Sequence, residues 1–78
     1  MGKYSNITIK RYKRILKHFG LSKVRSHKGH EMWWKEGLLK NVVFQTHIDP
    51  IPEFVICNNI DTMRVSKQEF DEALRIFK

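Results

Sequence analysis

The chain predicts an α+β domain: a helix, a three-stranded antiparallel sheet, a second helix and a short C-terminal helix, with the helices gathered on one sheet face. Three observations predict it. Apolar residues at three-and-four spacing occupy positions 8–19, and three short apolar and aromatic runs separated by turn residues lie between 21 and 47. A proline and a capping sequence then open two more helical periods.

Ile9, Tyr12, Ile15, Leu16 and Phe19 form the apolar stripe of the first helix, which Gly20 ends. The remaining faces carry Lys10, Arg11, Lys13, Arg14, Lys17 and His18, a cationic surface about three turns long. Residues 21–26 read as a first strand with Val24 inward and Lys23 and Arg25 outward. Lys28-Gly29 makes a turn, and residues 30–35 read as a second strand because Met32, Trp33 and Trp34 favour a pleated surface. By pattern Met32 and Trp34 point inward and Trp33 points outward beside Glu31 and Lys35, where an indole can either stack on a nucleic-acid base or anchor a protein partner, the acidic surroundings favouring the partner. Residues 36–40 connect to a third strand over 41–47, a meander. Asp49-Pro50-Ile51-Pro52 breaks the sheet, and Pro52 is placed to open a helix whose apolar face is Val55, Ile56, Ile60 and Met63. Ser66-Lys67-Gln68-Glu69 is a capping box, followed by Phe70, Ala73, Leu74 and Phe77 on one face of the last helix.

The 78 residues are read as one domain, spanning positions 1–78. A chain of this size buries only about 60 % of the surface its unfolded form exposes, so it supports one small core. A hydrophobic content of 41 % is that of a folded protein rather than a disordered basic tail. The single cysteine, Cys57, excludes an internal disulfide and fits a reducing compartment, so packing must hold the chain together. No signal-like apolar run opens the chain, and nowhere do roughly 18 apolar residues follow one another, so a cytoplasmic, non-membrane protein is expected.

The net charge of +7 conceals a polarised molecule. The first thirty residues hold nine Lys/Arg and no acid, whereas the rest hold six Lys/Arg against eight Asp/Glu. A polyanion is the partner such a surface attracts. Within this region the segment Ser26-His27-Lys28-Gly29-His30-Glu31-Met32-Trp33-Trp34 sets a histidine behind a basic-glycine turn, at the head of an aromatic strand.

These residues, a first helix ending in glycine, the Lys28-Gly29-His30 turn, Thr46-His47 closing a strand, Ile51-Pro52 leading into a helix and Val65-Ser66-x-x-Glu69-Phe70, resemble the HicA family of bacterial toxins over residues 9–74. That resemblance implies a fold like the double-stranded-RNA-binding domain, ribonuclease activity on messenger RNA, and neutralisation by a HicB-like antitoxin protein. His30 lies on the family's catalytic histidine. Lys28 stands where the first glycine of the family's Gly-Ser-His signature is usual, and the helix after Pro52 carries Glu53, Cys57, Asp61 and Arg64 in place of the family's basic residues and terminal glycine.

The chemistry is accessible to a single histidine. RNA carries its own nucleophile in the 2′-OH, and imidazole, with an ordinary pKa of about 6.5, takes or gives a proton near neutral pH. The cations Lys23, Arg25 and Lys28 can stabilise the charge of the transferring phosphoryl group. With His27 and the helix cations Lys10, Arg11, Lys13, Arg14 and Lys17, they make up the expected RNA-binding set. His47 is a second-rank candidate for holding a phosphate. Glu31 is not expected to orient His30, because neighbours in a strand face opposite ways. His27, His30, His47 and Asp49 carry atoms suited to zinc, but their spacing is not diagnostic, so neither metal nor cofactor is expected. Two other readings remain open: a noncatalytic RNA-binding domain of the same fold, and a basic module that docks an acidic protein.

Overall fold

The computed structural model describes residues 3–78. The element order is α1 (Ile9–His18), β1 (Ser22–His27), β2 (His30–Trp34), β3 (Val42–Gln45), α2 (Glu53–Met63) and α3 (Lys67–Ile76). The strands form one antiparallel sheet in the order β1-β2-β3. This is the expected α+β arrangement. The radius of gyration, 11.5 Å, matches the about 11–12 Å of a folded chain this long.

Each helix begins where its capping chemistry places it. Thr8 accepts the Arg11 N–H at 3.2 Å to open α1. Ser66 and Glu69 close a reciprocal capping box, at 3.0 and 2.8 Å, to open α3. Pro52 is the N-cap of α2. Gly20 leaves α1 with φ +89°, a backbone that residues with a Cβ rarely adopt.

The core joins Tyr12, Ile15 and Leu16 of α1 to Val42 and Phe44 of β3, Ile56, Ile60 and Met63 of α2, and Phe70 and Ala73 of α3. Tyr12 meets Phe44 edge to face, with ring centres 5.3 Å apart. Tyr4 and Ile7, ahead of the first helix, are buried too: Tyr4 donates its hydroxyl to Asp71, and Ile7 accepts from the Ile51 N–H. Sequence periodicity does not reach them, since they belong to no helix or strand.

Three sequence expectations are corrected. Trp33 is not an outward anchor but a core residue, 3 % exposed, and Glu31 beside it is 6 % exposed. The register decides this. Trp33 lies opposite Val42 and Glu31 opposite Phe44, and those two β3 residues are the ones that face the helices. Val24 does not point inward but is exposed, because the register shifts between Lys23 and Arg25 and leaves it in a β-bulge with no partner across the sheet. Strand β3 stops at Gln45 rather than His47. Thr46 turns away and gives both its N–H and its hydroxyl to the Gly29 carbonyl oxygen, at 2.7 and 3.1 Å.

Among the described residues no helix is long and apolar enough to cross a membrane.

Candidate functional site

The turn between β1 and β2 builds the site. Lys28 and Gly29 both take positive φ, +49° and +80°, the pair that a two-residue hairpin of matching twist requires. Lysine thus serves at a position that glycine would fill without strain. Thr46 holds the turn from one side, and the His47 ring lies against Gly29, where a Cβ would come within 3.1 Å of its Nδ1. Any residue larger than glycine at position 29 would push His47 away.

His30 follows the turn as the first residue of β2. It is half-buried, with Nδ1 3.3 Å from the Lys28 carbonyl oxygen. A carbonyl oxygen only accepts, so this hydrogen bond places a proton on Nδ1 and leaves the Nε2 lone pair of the neutral ring free. The pairing across the sheet sets His27 beside His30 and Arg25 beside Met32. Directly opposed residues share a sheet face, so Arg25, His27, His30, Met32 and Trp34 lie on the face away from the helices. Trp34, not Trp33, is the tryptophan there. It is half-buried and donates its indole N–H to the Leu38 carbonyl oxygen at 3.1 Å.

The remaining cations do not form one array. Because of the bulge Lys23 lies opposite Trp33, on the helix side, and Arg25 on the open side. Lys23 shares with Lys13 and Lys17 a cleft of about 410 Å³ between α1 and the sheet, and Lys10 and Arg14 continue this band along α1. Two members of the expected RNA-binding set are engaged elsewhere. Arg11 donates its Nε to the Phe77 carbonyl oxygen at 2.6 Å and an Nη to that of Leu74 at 2.7 Å, satisfying the C-terminal end of α3. Lys13 pairs with the buried Glu31 carboxylate at 3.0 Å.

Glu31 is held from both sides, since its other oxygen accepts the Trp33 indole N–H at 3.0 Å. Burial pushes its carboxyl up, but the hydrogen bonds from Trp33 and Lys13 and the charges of Lys13 and Lys23 outweigh this and leave it below the usual carboxylate range. Asp49 accepts the Ile9 N–H at 3.1 Å with one carboxylate oxygen. Among the described residues no group of three or more His, Cys, Asp or Glu is placed to hold a metal ion. His18 packs its ring against Phe19 and Phe77 at the end of α1.

Sequence reasoning did not foresee a groove of about 190 Å³ beside His30. It runs between β3 and the start of α2, with His30, Val43 and Gln45 on one wall and Ile48, Pro52 and Phe54 on the other. One signal was present: Phe54 is a large aromatic residue off the apolar stripe of α2, and it is 68 % exposed. A wider depression, about 610 Å³, lies between Leu39-Lys40 and the end of α2 and is lined by none of the candidate residues.

No family model matches this chain, and neither a curated protein nor a solved structure matches it.

Proposed function

We propose that this chain is a HicA-like toxin, a metal-independent endoribonuclease that cuts messenger RNA in the cytoplasm and is held in check by a HicB-like antitoxin. The observation that carries the reading is His30, half-buried at the mouth of a groove, with its Nδ1–H committed to a backbone carbonyl and its Nε2 without a partner among the described residues. In the proposed reaction Nε2 takes the proton of the 2′-OH as that oxygen bonds to phosphorus. The P–O5′ bond breaks, and the proton passes to the departing 5′ oxygen. A 2′,3′-cyclic phosphate and a 5′-hydroxyl result, with nothing else consumed. Arg25, His27 and Lys28 are placed to meet the phosphate charge, and Lys10, Arg14, Lys17 and Lys23 to hold the strand further along. Strand β1 is exposed over its whole length, so a polyanion can cross from the α1 band to His30 without displacing any element.

A second reading, a noncatalytic RNA-binding domain, is favoured by one observation: among the described residues the recorded partner of His30 is a backbone carbonyl, and no carboxylate orients its ring. The same assay separates the two. Purified chain should cleave RNA in EDTA to cyclic-phosphate ends, and His30→Ala should lose about 10²- to 10⁴-fold in rate while its stability changes by no more than about 0.5 kcal/mol. Cleavage by His30→Ala at the wild-type rate, or activity lost on chelation and restored by zinc or magnesium, would overturn the proposal. Binding without cleavage would select the second reading.

A further inference from the structure

We infer that the groove between β3 and α2 is a nucleobase subsite, in which one base of a single-stranded RNA stacks on Phe54 and presents its polar edge to Gln45. The inference deepens the proposed function and rests on RNA being the ligand, but not on cleavage.

Scattered exposed apolar residues are ordinary on a protein surface. Here, of the five large hydrophobic side chains exposed among the described residues, two, Phe54 and Ile48, line the same groove. Phe54 contributes nothing to the core that α2 needs, since Ile56, Asn59, Ile60 and Met63 face inward. Its ring therefore carries a hydrophobic cost with no return in packing, which a ligand would offset.

The groove's dimensions and chemistry select the occupant. At about 190 Å³ it falls below the roughly 300 Å³ at which pockets for drug-sized ligands begin, which suits a single ring system rather than a peptide helix. An aromatic face, apolar walls from Val43 and Pro52, and one amide offering both a donor and an acceptor are the parts that recognise an unpaired base. The charges beside it agree. Arg25, His27 and Lys28 lie on or next to the face that carries His30, where the phosphate attached to a bound base would fall. His30 is itself a wall of the groove, so a base seated there brings its own ribose and phosphate to the imidazole.

The test uses the whole chain and four uncleavable probes, 2′-O-methyl tetranucleotides of A, C, G and U, with binding followed through backbone amide resonances. Seating of a base should shift Gln45, Ile48, Phe54 and Val55, by different amounts for the four probes. Phe54→Ala should weaken binding about tenfold, and Phe54→Trp should restore it, because an indole stacks as well as a phenyl ring. Gln45→Ala should reduce the difference between the probes while retaining most of the affinity. Shifts confined to the Lys10, Arg14 and Lys17 surface, or equal affinity for wild type and Phe54→Ala, would overturn the inference. So would groove resonances that move only with a protein ligand. Wild-type protein that shows the groove shifts but leaves RNA uncut would sink the nuclease reading and keep the subsite.

Discussion

On the covered face of the sheet Glu31, Trp33, Val42 and Phe44 are buried, whereas on the open face of the same strands His30, Met32, Trp34 and Val43 are only half-buried and Gln45 is exposed. The two sets alternate residue by residue along β2 and β3, and they have opposite chemical fates. Glu31 is the charged group nearest to His30 in sequence, yet its oxygens are engaged by Lys13 and Trp33 on the far side of the sheet. A catalytic partnership between adjacent acid and histidine is thereby excluded, and a stabilising one between strand and helix replaces it. The period of two that defines a strand lets one short sequence carry a core face and an open, histidine-bearing face at once.

The largest expected effect comes from exchanging the two tryptophans' fates. Trp33→Ala should cost about 3–5 kcal/mol, enough to unfold much of a chain this small, whereas Trp34→Ala should cost less, about 1–2 kcal/mol, because its ring lies at the edge of the core and is only partly buried. Trp33→Phe keeps the comparison measurable if the alanine variant does not fold. Urea denaturation of the three variants checks this, and equal losses for the two alanine variants would erase the distinction between the faces.

A smaller effect should come from Glu31, whose folded carboxyl lies below its ordinary range. Its stabilisation is therefore fully present above the unfolded carboxylate pKa, near about 4.3, and disappears as pH falls through the lower folded value. Glu31→Gln should cost about 1–2 kcal/mol at pH 7, the range of a buried charge-assisted hydrogen bond whose lysine is partly solvated. The difference from wild type should vanish in strong acid. Unfolding curves collected from pH 7 to pH 2 would show it, and a constant gap over that range would mean that Glu31 does not titrate as its surroundings require.

The smallest effect should separate Lys23 from Arg25, two cations that the bulge sends to opposite faces. Arg25→Gln should reduce the log–log salt slope of RNA binding by about 0.7, the value for one phosphate contact on a single strand, without altering the acid limb of stability. Lys23→Gln should move the acid-unfolding midpoint to higher pH, because it removes a charge that holds the Glu31 carboxyl down. Identical behaviour of the two variants would mean that the bulge has no energetic meaning.

Much of this architecture is legible in the sequence. Gly20, Pro52 and the Ser66-Glu69 pair marked helix ends because capping is a local reaction within one turn, and the Thr8 cap, of the same kind, came to light only in the structure. Lys28-Gly29 marked a tight turn for the same reason. His30 stood out because it sits at that turn. The inward side of β2 was not legible. Met32 and Trp34 on one side and Glu31, Trp33 and Lys35 on the other left parity to a preference for apolar residues inside, and the preference failed because a carboxylate with an indole N–H and an ammonium beside it can be buried.

The sequence by itself determined the order of elements, the signals that bound the helices and the cationic first third of the chain, since each depends on residues within a few positions of one another. Only the tertiary structure decided which tryptophan is buried, that Arg11 closes the end of α3 instead of facing a ligand, and that Phe54 faces His30 and Gln45 across a groove. These outcomes depend on the register between strands and on the seating of helices against the sheet. Both are set by the joint burial of residues far apart in the chain, a sum over the whole core that no local spacing records.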